Sequence, residues 1–566
     1  MTRTSPWKEL PSTILANITE RLSPTELCIF LRVCSSWNAA LTPLQYHSID
    51  LISSNQMTKF IKTIANSHAY KPLGHFVRRL STHRLKITKA ELALFLKHCP
   101  YVVELAVTIQ KDFNFLPFLH RWKYLTKVSV QIDGETCYLF PTAYLYQRLI
   151  SLSLCSLRLA EWIDDIATLV SIEELKLQCP ERKWKDTDGI ITFIDLEKLH
   201  NHLPRLRLFA IHNFQIHGEL PVSIVPCETV RDLSLIIGNS RQWGHYFGTK
   251  YKELTTLKVC TAKNKNNMHL HTEMMPLVKV CHRLKELTMT DQEAYRSFLE
   301  AIQSLGAPLT NLCHKGENTL WLSKMLCGFQ RTISRLKMDS CLRLSVDTLL
   351  RALEDLPFLE DLELRYEESD LELNQVLEKL NHLKILTIRT RRIGMSSHSN
   401  HIRRQTYPLR HLSMYADDIE NGVYLYLALS CFRLSVLDCT YLCSWNRSCI
   451  IYYPHPGLQR LTVDYKDNCI FKLIRTDEIL SRPGIRSLER KREIKASMQC
   501  YYNRNGIMQR LAGLHFSDID HIFHLLENSL NMEERIIAKT TKEPRVVSIQ
   551  CHYVGFILLN GMKAIV

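Results

Sequence analysis

Glycine and proline are scarce in this chain, with 18 and 20 residues among 566, and long apolar runs are missing. The scarcity excludes collagen-like and low-complexity architectures. No stretch approaches the roughly 18 to 20 uncharged apolar residues of a membrane span, and residues 1–7 (MTRTSPW) lack the apolar core of a secretion signal. These absences predict a soluble protein of the cytoplasm or nucleus, without a membrane partner, whose 19 cysteines stay mostly reduced.

The common catalytic signatures are absent as well. No GxxxxGK[ST], GxGxxG, GxSxG or HExxH string occurs, so phosphate loops, dinucleotide folds, hydrolase elbows and zinc proteases are not indicated. The densest cysteine group, Cys431, Cys439, Cys443 and Cys449 with His455 nearby, lacks the close CxxC pairs of most structural zinc sites. We therefore predict a protein that is not an enzyme and holds no cofactor or metal.

The chain does contain a repeat, which reads apolar, two variable, apolar, one variable, apolar. Examples are residues 102–107 (VVELAV), 172–177 (IEELKL) and 383–388 (LKILTI). The central apolar residues of the copies are Leu80, Leu105, Val128, Leu152, Leu175, Phe209, Leu233, Leu257, Leu287, Leu312, Leu336, Leu362, Leu386, Leu412, Leu437 and Leu461. Successive copies are 23 to 26 residues apart except for two spacings, of 34 and 30, where polar insertions occur. A fixed period of this kind predicts a repeat architecture.

Each repeat is long enough for one strand and one helix. The alternating apolar residues at its centre predict a strand, and the following residues, as in 346–356, have helical spacing. One such unit cannot bury its own apolar face, so neighbouring units must stack into a solenoid with a parallel inner sheet and outer helices. The pattern resembles leucine-rich repeats, particularly their cysteine-containing type. The alternative is a series of ordinary α/β domains with leucine-rich strands, which would have to produce the near-equal spacings by accident.

Four cysteines support the same register. Cys99, Cys227, Cys281 and Cys431 all precede a central residue by six positions. Because thiols behave as compact apolar side chains, this repetition predicts a small buried slot in each unit.

The first fifty residues have a different pattern, typical of three short helices. Leu22 ends one apolar stripe, and Ser23-Pro24-Thr25-Glu26 then has the residues of a capping box with proline at the first helical position. Leu27, Phe30, Leu31 and Cys34 are expected to continue the second helix, and a short third helix holds Trp37, Ala40 and Leu41. Together with the closing residues 49–51 (IDL), this order resembles the F-box. The resemblance implies docking to the adaptor subunit of cullin-based (SCF) ubiquitin ligases, through Leu10, Pro11, Ile14, Ile18, Val33, Cys34 and Trp37.

The fold class predicted is therefore α/β, a three-helix F-box module followed by a leucine-rich-repeat solenoid. We assign residues 1–50 to the module, 51–75 to a linker, 76–470 to the solenoid, and 471–566 to degenerate repeats and a C-terminal cap. Leu488, Leu514 and Val547 are candidates for the centres of further strands in this last segment. An alternative for the module is a plain cap that fills its own core and shields the first repeat.

Residues one before, one after and three after each central residue must share the strand face opposite to the core. We call this surface the polar strand face, which the resemblance implies is concave. Its ten basic and nine acidic residues nearly balance, so a groove that follows a nucleic-acid backbone is not indicated. Candidate contacts for a protein substrate on this face or beside it are His83, His212, Arg335, Arg365, Arg389, His411 and Tyr415.

Much of the excess positive charge, which is +15 overall, lies in two other stretches, residues 389–411 and 482–495. An acidic stretch, residues 354–379, directly precedes the first. These stretches can be interpreted as solvated surface of helices and loops. Alternatively, the basic stretches recognise an acidic or phosphorylated segment of a partner, and the acidic stretch recognises a basic segment. The sequence as a whole predicts a substrate receptor that binds adaptor and cullin subunits and an unknown protein substrate, with nucleic acid an unlikely partner. A protein-binding scaffold independent of any ligase is the alternative.

Overall fold

The computed structural model describes residues 30–67, 72–110, 116–133, 147–157, 159–180, 189–237, 241–261, 270–290, 294–315, 325–339, 346–396, 406–442, 448–453, 457–465, 469–475, 498–504, 507–511, 545–551, 554–559 and 562–564. The chain forms two compact units. Unit 1 is Met1–Leu284 with Leu305–Ala307, and unit 2 is Lys285–Ser304 with Pro308–Val566.

Unit 1 is a ladder of short parallel strands. They are β1 (Ser48–Asp50), β2 (Arg79–Ile87), β3 (Glu104–Gln110), β4 (Lys127–Asp133), β5 (Ser151–Cys155), β6 (Glu174–Gln178), β7 (Ile190–Thr192), β8 (Leu208–His217), β9 (Asp232–Ile237) and β10 (Thr256–Thr261). Every strand except β7 pairs with the next member of the ladder, and β7 pairs with the far end of β8.

The register of this ladder confirms the predicted repeat. Leu105 pairs with Leu80 on one side and Val128 on the other, and the remaining central residues continue this line to Leu257. All of them are buried. The residues two further along, such as Leu177, are buried too, whereas Lys176 and Gln178 are exposed. Each strand therefore has one core face and one polar face.

Helices connect the strands of unit 1. They are α1 (Ser35–His47), α2 (Ser54–Ala65), α3 (Lys89–His98), α4 (Leu116–Leu119), α5 (Ile163–Ala167), α6 (Phe193–His202), α7 (Trp243–Lys250) and α8 (Leu270–Met274), with 3-10 turns at Leu73–Phe76, Leu159–Trp162 and Met275–Val280. Two begin with capping boxes, Thr88 with Glu91 and Thr192 with Asp195. These side chains satisfy backbone N–H groups that a helix start leaves unpaired.

Unit 2 repeats the arrangement. Its ladder strands are β11 (Glu286–Thr290), β12 (Asn311–Lys315), β13 (Arg335–Asp339), β14 (Asp361–Glu372), β15 (Ile385–Gly394), β16 (His411–Ala416), β17 (Asp418–Ile419), β18 (Val436–Tyr441) and β20 (Leu458–Tyr465). The central residue of each strand pairs with the central residue of the next repeat, from Leu287 on β11 to Leu461 on β20. Its helices are α9 (Ala294–Ser304), α10 (Val346–Glu354), α11 (Leu373–Lys379) and α12 (Asn421–Ser430), with a 3-10 turn at Cys327–Phe329.

The last segment departs from the repeat pattern. β25 (Val554–Leu559) pairs with β20 and continues the ladder, and β26 (Met562–Ala564) folds back on it. A separate sheet contains β19 (Ser448–Tyr453), β24 (Arg545–Cys551), β21 (Cys469–Arg475), β22 (Met498–Arg504) and β23 (Ile507–Leu511). Val547 lies on β24 of this sheet, and Leu488 and Leu514 lie outside the described residues.

The segment assigned to a linker has regular structure. Residues 54–65 form α2, whose N-cap Ser53 accepts a hydrogen bond from the backbone N–H of Gln56, and 73–76 form a 3-10 turn. Ile49 on β1 pairs with Leu80, so this segment connects two neighbouring strands of the ladder.

The cysteine slot exists in three of the four predicted units. Cys99, Cys281 and Cys431 are fully buried, whereas Cys227 is half-buried beside the Thr229 hydroxyl. Cys227 also forms an isolated parallel β-bridge with Tyr251.

Candidate protein-interaction surfaces

The described part of the N-terminal module is built around Trp37. Its indole and Leu41 are buried, and Phe30 stacks on the indole with ring centroids 5.3 Å apart and planes 6° apart. Residues 31–33 form a turn. The Asn38 side-chain amide stabilises this turn by donating a hydrogen bond to the Leu31 carbonyl over 3.0 Å. The second helix therefore ends before Cys34, which is the N-cap of α1 and not part of the apolar stripe predicted for that helix.

The predicted adaptor-binding residues occupy different environments. Val33 is 58% exposed, Cys34 is half-buried, and Trp37 is only 7% exposed. Val33 is thus free to contact a partner, while Trp37 supports the turn that presents it. Leu10, Pro11, Ile14 and Ile18 lie outside the described residues.

The module is continuous with the repeat ladder. The His47 carbonyl, at the end of α1, accepts a hydrogen bond from the Arg78 N–H over 2.9 Å. Within the β1–β2 pair, the Ser81 hydroxyl donates to the Asp50 carboxylate over 2.8 Å. The backbone that closes the module is therefore also the first strand of the sheet, which fixes α1 relative to the first repeats.

Among the described residues of unit 1, the ion pairs of the polar strand face lie on β2, β3 and β4. Glu104 on β3 forms ion pairs with Arg79 on β2 and Lys127 on β4. These pairs lower the pKa of the Glu104 carboxyl, chiefly through the hydrogen bond from Arg79. Farther along, Lys176 and Lys258 flank a floor of small residues, and His212 contacts the Ser234 hydroxyl over 2.9 Å.

The polar strand face of unit 2 carries a denser network. Lys337 pairs with Glu363 over 2.6 Å, and Arg365 pairs with both Glu363 and Asp339. A depression of about 270 Å³ opens beside it, lined by residues of β11 to β14. Asp361 on its wall has a raised pKa because burial disfavours the carboxylate. The depression thus combines charged walls with a small apolar floor.

A second network lies on β16, β18 and β20. The Asp438 carboxylate accepts hydrogen bonds from Arg460 over 2.8 Å, from His411 over 3.1 Å and from Ser413 over 3.3 Å. Burial acts to raise the pKa of Asp438, but the hydrogen bonds, from His411 first, outweigh it and hold the pKa at about 2. His411 uses the same ring nitrogen, Nε2, for both Ser413 and Asp438. A Ser-His-Asp relay needs opposite ring nitrogens, so this arrangement is not a hydrolase triad.

The predicted substrate residues fall into two groups. Arg335, Arg365, Arg389, His411 and Tyr415 lie on the adjacent strands β13 to β16 of unit 2, where Arg365 pairs with Arg389 and Arg389 with Tyr415. In unit 1 the group has two members. They are His212 on β8, and His83 on β2, whose side chain is outside the described residues.

Two arginines of the basic stretch 389–411 have acidic partners within the chain. Arg391 donates to Asp370 over 2.9 Å, and Arg392 pairs with Asp418 and Glu420. Glu420 also accepts from the Met395 N–H, so it holds the end of β15. These arginines therefore have intramolecular partners, which weakens the interpretation of residues 389–411 as a surface for acidic segments. The other basic stretch, 482–495, lies outside the described residues.

An aromatic row was not anticipated from the sequence. Tyr101 lies edge-on to His75 at 5.3 Å and beside Tyr124 at 5.5 Å, and the Arg78 guanidinium lies over the Tyr101 ring. Both tyrosines are partly exposed. Each stands four residues before a central residue, Leu105 or Val128, so comparing that position across repeats would have revealed the row.

The described residues contain no group of three or more His, Cys, Asp or Glu side chains placed to hold a metal ion. In the cysteine group noted above, Cys431 and Cys439 are each buried in the core, while Cys443 and His455 are not described. None of the described helices is both long and apolar enough to cross a membrane.

Comparison with known proteins identifies the module. Residues 7–51 match the F-box-like family. No match among the curated proteins was found. Similar solved structures include an LRR protein of Leptospira interrogans (13% identity, TM-score 0.33, covering 74% of this chain and 94% of that one). Another is the TLR13–ssRNA13 complex (13% identity, TM-score 0.32, covering 74% of this chain and 55% of that one). The chain thus carries an F-box-like domain, and ladders of parallel strands follow it.

Proposed function

We propose that this chain is a non-catalytic substrate receptor of an SCF-type ubiquitin ligase, acting in the cytoplasm or nucleus. The F-box-like module would dock the adaptor subunit, which links the chain to the cullin. The polar strand faces would hold a protein substrate. Catalysis would then consist of proximity, because a fixed receptor places substrate lysines near a separately bound ubiquitin-conjugating enzyme.

The observation that carries the proposal is the F-box-like match at residues 7–51, whose last residues form β1 of the repeat ladder. F-box domains typically bind the SCF adaptor. A docking module that shares a strand with its recognition domain can hold a substrate at a fixed distance from the ligase. The exposed Val33 beside the supporting Trp37 is consistent with an apolar contact at this end of the chain.

Adaptor binding by the full-length chain tests the docking role. Val33→Asp should weaken binding by tenfold or more, since it places a charge in an apolar interface and leaves it without a partner. Ile52→Asp is the matched control, because Ile52 is an equally branched side chain, 49% exposed, outside the predicted contact set. Binding can be measured by surface plasmon resonance with immobilised adaptor. An intact chain that does not bind the adaptor would refute the ligase role.

A ligase-independent protein-binding scaffold is the second candidate. The burial of Trp37 and the pairing of β1 with β2 favour it, since both suit a module that only caps the ladder. On this hypothesis Val33→Asp and Ile52→Asp leave every protein partner in place. Cross-linking and mass spectrometry of partners captured by the two variants would separate the hypotheses, because only an adaptor-docking module loses a partner through Val33→Asp alone.

A further inference from the structure

The chain between β8 and β9 of unit 1, residues 218–231, forms a loop that contains no helix and is described throughout. The loop is fixed at both ends. It begins directly after β8, and near its end the Cys227 N–H donates to the Lys250 carbonyl over 2.6 Å. Glu228 then pairs with Lys252 on the exposed surface. Residues 219–226 therefore cross the surface of unit 1 between two anchored points.

The middle of this loop is apolar although it faces solvent. Residues 220–226 read LPVSIVP. Val222 is fully exposed and Val225 is 54% exposed, whereas Leu220 and Ile224 are half-buried. Apolar side chains that cluster on a protein surface mark a place where another molecule binds.

The backbone of the same residues has no partners within the described chain. None of the N–H and C=O groups of residues 219–226 forms a hydrogen bond to another described backbone group. The chain bends at residues 222–223, and straightening this bend would break no backbone hydrogen bond. A row of unpaired N–H and C=O groups is a template on which a strand of another protein can pair.

Two prolines set the length of this template. Pro221 and Pro226 have no backbone N–H, so the donors between them are those of residues 222–225. The enclosed sequence is VSIV, in which three of the four side chains are branched and apolar. Such residues suit a strand. A helical arrangement of this segment is disfavoured, because proline at its end would interrupt the helix.

Acidic side chains stand on both sides of the segment. Glu219 precedes it and Glu228 follows it, and both are exposed. Complementary surfaces place opposite charges against each other. The matching partner surface is therefore an apolar groove beside an unpaired sheet edge, with basic side chains at the border.

We propose that residues 222–225 add a strand to the exposed sheet edge of a small ubiquitin-like modifier. In strand addition the main-chain hydrogen bonds supply affinity, and alternate side chains fill pockets of the partner. Val222 and Ile224 would point to the same side of the added strand and occupy the apolar groove. Glu219 and Glu228 would then lie near basic side chains of the modifier.

The shortness of the segment selects this kind of partner. Four residues can form only a few hydrogen bonds, so the partner must also recognise the branched side chains and the flanking charges. A small ubiquitin-like modifier meets these requirements, because it is a compact domain with an edge strand, an adjoining apolar groove and basic neighbours. A partner that needs a long added strand does not fit between two prolines.

The test measures binding of the full-length chain to a fluorescently labelled small ubiquitin-like modifier by anisotropy, with ubiquitin as the comparison probe. We expect the modifier to bind more tightly than ubiquitin. Val222→Asp should weaken binding of the modifier by roughly tenfold or more, because it places an unpaired charge in the apolar groove. Val222 is fully exposed, so the variant should fold, and thermal unfolding checks this.

Ile194→Asp is the matched control. Ile194 is also a branched apolar side chain, 72% exposed, but it lies on helix α6. A helix cannot add a strand to a sheet, so this variant should bind the modifier as the unchanged chain does. Absence of binding, equal binding of the modifier and ubiquitin, or an equal loss in the two variants would overturn the proposal.

A measurement on the unchanged chain tests the strand itself. Amide hydrogen exchange should slow at residues 222–225 when the modifier binds, because their N–H groups become hydrogen-bonded. NMR of the isotope-labelled modifier should show shift changes along its edge strand. Unchanged exchange at these residues, or shift changes confined to another face of the modifier, would refute strand addition.

Adaptor binding, measured in parallel, tests the ligase role separately. The F-box-like residues 7–51 take no part in the proposed strand, so Val222→Asp should leave adaptor binding unchanged. Loss of modifier binding alone therefore concerns only the segment 222–225, and failure of adaptor binding alone concerns only the ligase role.

Discussion

His200 shows how burial sets the chemistry of a single residue. Its Nδ1 is 2.7 Å from the Leu196 carbonyl and its Nε2 is 2.8 Å from the Tyr251 hydroxyl. A carbonyl can only accept, so Nδ1 carries the proton and the Tyr251 hydroxyl donates to Nε2. Burial lowers the pKa of His200 to about 3, and the charge of Lys250 adds to this effect. The residue is therefore neutral in the folded chain.

This burial predicts a loss of stability in mild acid. The folded pKa lies below the ordinary value of 6.5, so the unfolded chain binds the proton first as the pH falls. The contribution is fully present above pH 6.5 and is lost progressively toward pH 3. Between pH 7 and pH 5 we expect His200 to cost unit 1 about 2 kcal/mol in unfolding free energy.

Urea unfolding at the two pH values, with His200→Gln alongside, measures this effect. The variant should have a smaller difference between pH 7 and pH 5 than the unchanged chain, because glutamine does not titrate. His202→Gln is the control, since His202 lies on the same helix but is exposed. A pH difference that is equal in all three chains would contradict the assignment.

At the scale of elements, α6 and α7 are joined by a buried charge pair. The Lys250 ammonium lies 2.8 Å from the Glu197 carboxylate, and the Lys250 side chain is only 1% exposed. Tyr246 and Phe193 pack beside this pair with ring centroids 5.3 Å apart. Two helices from different repeats are therefore connected by a polar contact inside an aromatic cluster.

Lys250→Met should destabilise unit 1 by about 3 to 5 kcal/mol, since it leaves the Glu197 carboxylate unpaired among these rings. Adding Glu197→Leu should restore part of the loss, because no buried charge then remains. Lys252→Met is the control, because that lysine pairs with Glu228 on the exposed surface and its loss should leave stability nearly unchanged. Thermal unfolding measures all three. A single variant no less stable than the control would show that the pair is unimportant.

Strands and helices were predictable from the sequence where the spacing of apolar residues within one segment determines them. The strands around Leu105 or Leu386 follow from alternating apolar residues, and α10 from Leu349, Leu350 and Leu353 on one face. The pairing of Arg391 with Asp370 was not foreseen, because it depends on which side chains meet between strands that are far apart in sequence. The exposure of Val33 beside the buried Trp37 likewise depends on a turn that helical spacing does not encode. The set of predicted adaptor-binding residues and the set of predicted substrate-binding residues both stay predictions.

At the scale of the molecule, the module and the first repeats share one hydrogen-bonded structure. Leu51 follows β1 directly, is buried, and donates its N–H to the Ser81 carbonyl over 2.9 Å. In repeat architectures, stability is passed between neighbours through such interfaces. Loosening β1 should therefore affect α1 and β2 together.

Leu51→Ala should cost about 3 kcal/mol, because it leaves a cavity at this junction. Hydrogen exchange should show α1 and β2 losing protection in parallel, as parts of one cooperative segment. Ile52→Ala changes the adjacent, exposed side chain and should leave protection nearly unaltered. Loss of protection in α1 alone would instead indicate that the module unfolds independently of the ladder.

The sequence by itself determined the repeat, the core face of each strand and the F-box-like character of the N-terminus. Apolar spacing and strand alternation act over a few residues, so a fixed period places the same side chains inward in every unit. The tertiary structure alone decided which charges neutralise one another, that β1 joins the ladder, and that β24 pairs in a separate sheet. Those outcomes depend on contacts between residues distant along the chain, where backbone register and the space available between side chains select the partners.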